Sequence, residues 1–240
     1  MKEIVYTQVY RIISAVTAVS FFLPVIILLV KRMWKHREFT WFACYWLIGG
    51  IINLIDILGL ADTIGGSWVN RAYNLFEAPF MLTVLYFTSQ NKTIRKALIR
   101  VFVIFMTAEL LTTSITRLHA ITETVMVGLG TLIILTFIIW EIISYLVKIE
   151  HSHFEKVMQF VYAGLIFEYG ISIITFIFSY IYPPPPNKDY TDNYILYDIS
   201  IIITIALASW GFISYGEKQK KPPQKPPARK RNKDEEFMFI

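Results

Sequence analysis

Seven acidic residues stand in or at the edges of stretches that are otherwise apolar: Asp56, Glu77, Glu109, Glu123, Glu141, Glu168 and Asp198. Carboxyls in such settings take up protons, hold cations or act as general acids and bases. They do not stand alone. Residues three, four and seven apart share a helix face. Asn53 accompanies Asp56, while Asn70, Tyr73 and Asn74 lead to Glu77. Thr112, Thr113 and Thr116 follow Glu109, and Ser172, Thr175 and Ser179 follow Glu168. Tyr194 accompanies Asp198, with Tyr197 and Ser200 alongside. No lysine lies deep in these stretches; Arg71 and Arg117 stand near their ends, where they would neutralise Glu77 and Glu109.

The elements that position these residues are membrane helices. Of 240 residues, 55% are hydrophobic and only 17% charged, against about 25% charged in soluble domains. A bilayer core about 30 Å thick needs about 20 apolar residues in a helix. Seven runs qualify, at 11–30, 40–60, 69–89, 97–117, 122–147, 157–182 and 193–215. The expected fold is an all-α integral membrane protein: a seven-transmembrane-helix bundle over residues 1–215, followed by a disordered tail over 216–240. Of the 23 Lys and Arg, 18 fall in the first, third and fifth connections and the tail. Basic loops stay cytoplasmic, so the N-terminus is expected outside and the C-terminus in the cytoplasm, in the plasma or inner membrane. Strong positive charge follows the first run and no small-x-small pattern closes it, so it reads as an uncleaved helix rather than a signal peptide.

Helix direction and a rise of 1.5 Å per residue place six of the seven acids at the midplane or in the outer half. Glu141 alone falls in the inner half. In lipid the polar stripes must turn toward one another, because unsatisfied polar groups are costly there. The expected result is an outer-facing polar cavity between the second, third, fourth, sixth and seventh spans. Its candidate ligand contacts are Asn53, Asp56, Tyr73, Asn74, Glu77, Glu109, Glu168 and Asp198, with Glu77, Glu168 and Asp198 foremost. A kink at Pro79, within one turn of Glu77, would help shape it. The competing account is that these polar groups simply hydrogen-bond helices together.

Other chemistries fit less well. The single Cys44 excludes internal disulfides and four-thiolate zinc sites. The four histidines, His36, His119, His151 and His153, all lie at or outside the span ends, so no metal site is expected. No G-x-S-x-G occurs, and no catalytic residue or cofactor is assigned. The leading expectation is a receptor, sensor or transporter that binds a small ligand, ion or proton. The alternatives are an accessory subunit of a larger membrane complex and a carboxylate-based intramembrane enzyme.

Two stretches resemble microbial rhodopsins. Leu75-Phe76-Glu77-Ala78-Pro79 in the third span is similar to their Leu-Phe-Thr-Thr-Pro, and Asp198-Ile199-Ser200-Ile201-Ile202 in the seventh to Asp-Val-Ser-Ala-Lys. The position of the retinal-binding lysine is Ile202 and that of the counterion is Tyr73. The resemblance therefore implies the scaffold and a site around Glu77 and Asp198, without covalent retinal.

The 25 residues from Gly216 contribute +4 of the net +5. The net charge therefore reports a juxtamembrane basic tail suited to anionic lipid headgroups rather than to nucleic acid. Pro223-x-x-Pro226 is a candidate extended docking peptide for a membrane-protein partner, and the closing Phe237-Met238-Phe239-Ile240 would dock on a partner or touch the membrane. The four prolines 183–186 are expected to stop the sixth span and stiffen an outer loop.

Overall fold

The computed structural model describes residues 2–60, 66–116, 120–181 and 191–220. Arg117, His119, Pro183–Pro186, Lys188 and the tail from residue 221 lie outside the described residues. Among the described residues there are only helices. They are α1 (Lys2–Ser20), α2 (Leu23–Val30), α3 (Arg37–Ile57), α4 (Gly66–Thr88), α5 (Lys92–Thr116), α6 (Ala120–Leu146), α7 (His153–Phe176) and α8 (Thr191–Lys220). Six segments are long and apolar enough to cross a membrane, the make-up of a multi-pass membrane protein: α1 with α2, then α3, α5, α6, α7 and α8.

The expected third span is the exception, and packing explains it. Helix α4 lies against α3, α5 and α6. Ala78, Met81, Leu82, Val84 and Leu85 are buried there, and Phe76 is the only large apolar side chain on α4 exposed among the described residues. A helix packed on three neighbours needs little lipid-facing surface, so it tolerates Glu77, while Asn74 stands exposed and Arg71 half-buried nearer its start. The spanning helices instead expose Ile12, Ile51, Ile104, Leu132, Phe167 and Trp210, among others.

The two in-span prolines behave differently. The first expected span is broken: α1 stops at Ser20 and α2 begins at Leu23, with Pro24 in its first turn. Pro24 has no N–H for the Ser20 carbonyl, so the ladder fails there. Pro79 instead sits inside a continuous α4. At the far end, α8 runs to Lys220, past the boundary expected at Gly216.

The basic connections gather at one end of the bundle. The Arg37 guanidinium covers the Phe87 ring at 4.0 Å, and Arg95 covers Tyr86 at 4.7 Å. His153 stacks on Tyr215 at 5.3 Å, and His36 meets the same ring edge-on at 5.1 Å. The starts of α5 and α7 at this end are capped. Asn91 Oδ1 accepts from the Thr93 N–H at 2.9 Å. Ser152 and Glu155 form a reciprocal capping box, and Glu155 also pairs with Lys148.

Helices α7 and α8 form the most extensive pair. In lipid such pairs depend on close packing rather than on water exclusion. A Cβ on Gly164 would lie 3.0 Å from the Thr204 Cα and 3.1 Å from its carbonyl oxygen. The Thr204 hydroxyl donates to the Gly164 carbonyl at 2.8 Å. Gly164→Ala must therefore push backbone apart. It is expected to cost about 1–3 kcal/mol, read as a lower unfolding temperature in detergent. Gly170→Ala, where a Cβ meets open space, is the control. Equal stability of the two variants would contradict this close approach.

Candidate functional site

Toward the end of the bundle opposite the basic connections lies a cavity of about 210 Å³. Tyr45, Asn53 and Asp56 of α3 line one side, and Tyr73, Asn74 and Glu77 of α4 line the next. Glu168 of α7, Tyr197 of α8 and Phe21 at the α1–α2 break complete it. Along α3 the site spans about 16 Å, from Asp56 near the helix end to Tyr45. Asp56 and Asn74 are exposed, while Tyr45 and Glu168 are buried.

A second cavity of about 230 Å³ adjoins the first and shares Asn74, Glu77 and Tyr197 with it. Its other walls carry Tyr169, Ser172 and Thr175 of α7, Thr131 of α6 and Tyr194 of α8. Ser179 and Tyr180 also line it. They belong to a five-residue π-helical segment, Ile177–Ile181, that prolongs α7. Wider turns of this kind re-aim side chains and recur at functional sites.

The polar groups at the centre are ordered. Tyr45 donates to Glu77 Oε1 at 3.3 Å and lies 2.8 Å from the Tyr169 hydroxyl. A hydroxyl has one proton to give. With the Tyr45 proton directed at Glu77, Tyr169 donates to Tyr45. Glu168 differs: its Oε2 is buried and has no hydrogen-bond partner. The single proton of the neighbouring Thr204 hydroxyl lies within reach of the carbonyls of Gly164 at 2.8 Å and Ser200 at 2.9 Å.

Six of the eight sequence candidates thus line one cavity: Asn53, Asp56, Tyr73, Asn74, Glu77 and Glu168. Asp198 does not line either cavity. It turns toward α1, where Ser14 Oγ donates to its Oδ2 at 2.6 Å. Glu77 and Asp198, paired by the rhodopsin resemblance, thus do not share the wall of either cavity. Glu109 is also buried away from both cavities, and the expected contribution of the fourth span (α5) is absent from their described walls. The fifth span supplies Val127 and Thr131 in its place. Arg71 does not neutralise Glu77; it reaches Glu123 at 3.8 Å, which also accepts from Asn74 Nδ2 at 3.3 Å.

The hydroxyls bear on whether polar residues merely join helices. Ser172, Thr175, Thr131 and Ser200 each donate to a carbonyl of their own helix, one turn back. These four bonds each stay within one helix and join no neighbour; Ser172, Thr175 and Thr131 also line the second cavity. Other polar groups at this level do join helices: Tyr45 to Glu77 and Tyr169, Asn74 to Glu123, Ser14 to Asp198 and Thr204 to Gly164.

The tyrosines Tyr45 and Tyr169 were missed as site residues, although the signal was present. Tyr45 lies eight and eleven residues before Asn53 and Asp56, on the same helix face, and Tyr169 lies three before Ser172. Among the described residues no group of three His, Cys, Asp or Glu is placed to hold a metal ion. Comparisons with protein-family models, curated proteins and solved structures find no match to this chain.

Proposed function

We propose that this chain is a seven-span membrane protein of the plasma or inner membrane that binds a small ligand in an outward-facing cavity, as a receptor, sensor or transporter. One observation carries the reading. Polar side chains from α3, α4 and α7, drawn from a stretch of more than a hundred residues, line a single cavity and leave the buried Glu168 Oε2 unpartnered. A buried polar group without a partner costs about 1–3 kcal/mol, and a ligand that supplies the partner recovers it. Helix α4 serves as the seventh crossing, shielded from lipid by its neighbours. Basic residues hold the opposite end in the cytoplasm, where the tail meets anionic headgroups. A membrane-protein partner docked on the tail would carry a sensor's signal.

Thiol accessibility tests the reading. In a Cys44→Ser background, Asn53→Cys is expected to react with a membrane-impermeant maleimide added outside intact cells. Lys148→Cys, at the basic end, is expected to react only after the membrane is opened. Reversed sidedness would overturn the orientation. An Asn53→Cys thiol inert from both sides would overturn the cavity.

A further inference from the structure

We propose that the ligand of this cavity is a small organic cation, an amine or quaternary ammonium compound, seated between Glu168 and Glu77 within a cage of tyrosines. The inference rests on the reading that the cavity is an outward-facing ligand site, and it adds the chemical class.

Charge comes first. Asp56, Glu77 and Glu168 line the cavity, and no Lys or Arg does among the described residues. The nearby cation, Arg71, is engaged with Glu123. Glu168 is 4% exposed, and its unpartnered Oε2 receives no donor from the protein. A carboxyl desolvated in this way gains most from a neighbouring positive charge, which offsets the cost of its ionised form; an amine would add an N–H donor as well. An anionic ligand would add repulsion.

The walls then distinguish an organic cation from a metal ion. Hard divalent cations take six or more oxygen ligands, or strict octahedral geometry. No three metal-ligating side chains converge here among the described residues. Instead Tyr45, Tyr73, Tyr169 and Tyr197 each lie within electrostatic reach of both Glu77 and Glu168. Aromatic rings around a carboxylate form the surroundings in which cation–π attraction favours ammonium groups. The Tyr169–Tyr45–Glu77 hydrogen-bond chain holds two of the hydroxyls on the acid side. The volume of about 210 Å³ admits a small molecule rather than a bare ion. The adjoining cavity, with Ser172, Thr175 and Ser179, suits a short uncharged polar tail.

Binding of radiolabelled tetramethylammonium to purified protein tests the class. Its neutral isostere neopentane cannot be assayed easily in water, so choline is paired with 3,3-dimethylbutanol, which has the same shape without the charge. Tetramethylammonium and choline are expected to bind and to protect Asn53→Cys from maleimide; 3,3-dimethylbutanol and acetate are not. Glu168→Gln should weaken tetramethylammonium binding at least about thirtyfold, because a desolvated charge pair is lost. Tyr197→Phe should retain affinity, whereas Tyr197→Leu should lose about tenfold. Thermal unfolding of each variant separates lost binding from lost folding, and Glu77→Gln provides a second acid should Glu168→Gln not fold. Equal protection by choline and its neutral isostere, or protection by acetate alone, overturns the cation class and leaves the cavity reading intact. An Asn53→Cys thiol inert from outside overturns both.

Discussion

Trp46→Ala is expected to lower the stability of the detergent-solubilised protein by about 3–5 kcal/mol, measured by chemical or thermal unfolding. Trp46 is 0% exposed on α3. Its ring stacks on Phe42 at 5.7 Å and meets Phe212 at 6.4 Å and Tyr45 at 6.5 Å. Phe42 in turn meets Tyr162 at 6.1 Å. These rings join α3 to α7 and α8 and form the floor beneath Tyr45, separating the cavity from the basic end. Removing the largest of them leaves a void that its rigid neighbours cannot fill. Trp46→Phe should cost much less, because the indole Nε1 is buried without a hydrogen-bond partner and no bond is forfeited. A Trp46→Ala loss below about 1 kcal/mol would mean that this layer is not packed as described.

Glu141→Met is expected to change stability in the opposite direction, raising it by about 1–3 kcal/mol. Glu141 is 0% exposed on α6, and neither carboxyl oxygen has a hydrogen-bond partner of good geometry. Ser89 and Lys148 are its electrostatic neighbours. The Ser89 hydroxyl turns instead to the Asn91 carbonyl at 3.4 Å, and Lys148 is paired with Glu155. An unbranched apolar side chain of similar length fills the same space without the polar cost. Glu141→Gln should be close to neutral, since its amide is left equally unpartnered. A destabilised Glu141→Met would reveal a compensating partner for the acid. Because Glu141 lies about 15 Å along α6 from Thr131, tetramethylammonium binding should be unchanged in this variant. Glu168→Gln has the converse signature, lost binding with little change in folding, so the two buried acids have separable roles.

Much of the architecture was legible before any coordinates, because the bilayer imposes length and apolarity on each crossing. The expected runs at 122–147 and 157–182 match α6 and α7 with its π-helical extension to within a few residues. The single run at 11–30 hid a break, since hydropathy does not register the missing N–H of Pro24. Helix α4 was legible by length, but its tolerance for Glu77 depends on the helices packed around it, a property of its neighbours rather than of its own residues.

The site divides along the same line. Periodicity alone picked out the polar stripes carrying Asn53, Asp56, Tyr73, Asn74, Glu77 and Glu168, because side chains three or four apart must share a face. It does not say which neighbour a stripe meets. Tyr197 and Asp198 are adjacent in sequence, so they project about 100° apart around α8. Packing sends Tyr197 to the cavity and Asp198 to Ser14 on α1. Arg71 likewise was expected to meet Glu77, and helix placement assigns it to Glu123 instead. The sequence by itself determined the membrane helices, the basic end and the faces that carry polar groups, since each follows from local composition and a fixed helical period. Only the tertiary structure decided which faces meet, because that depends on how α3, α4, α7 and α8 rotate against one another to fill space. That rotation brings Glu77 and Glu168 together among tyrosines and leaves Asp198 and Glu109 elsewhere.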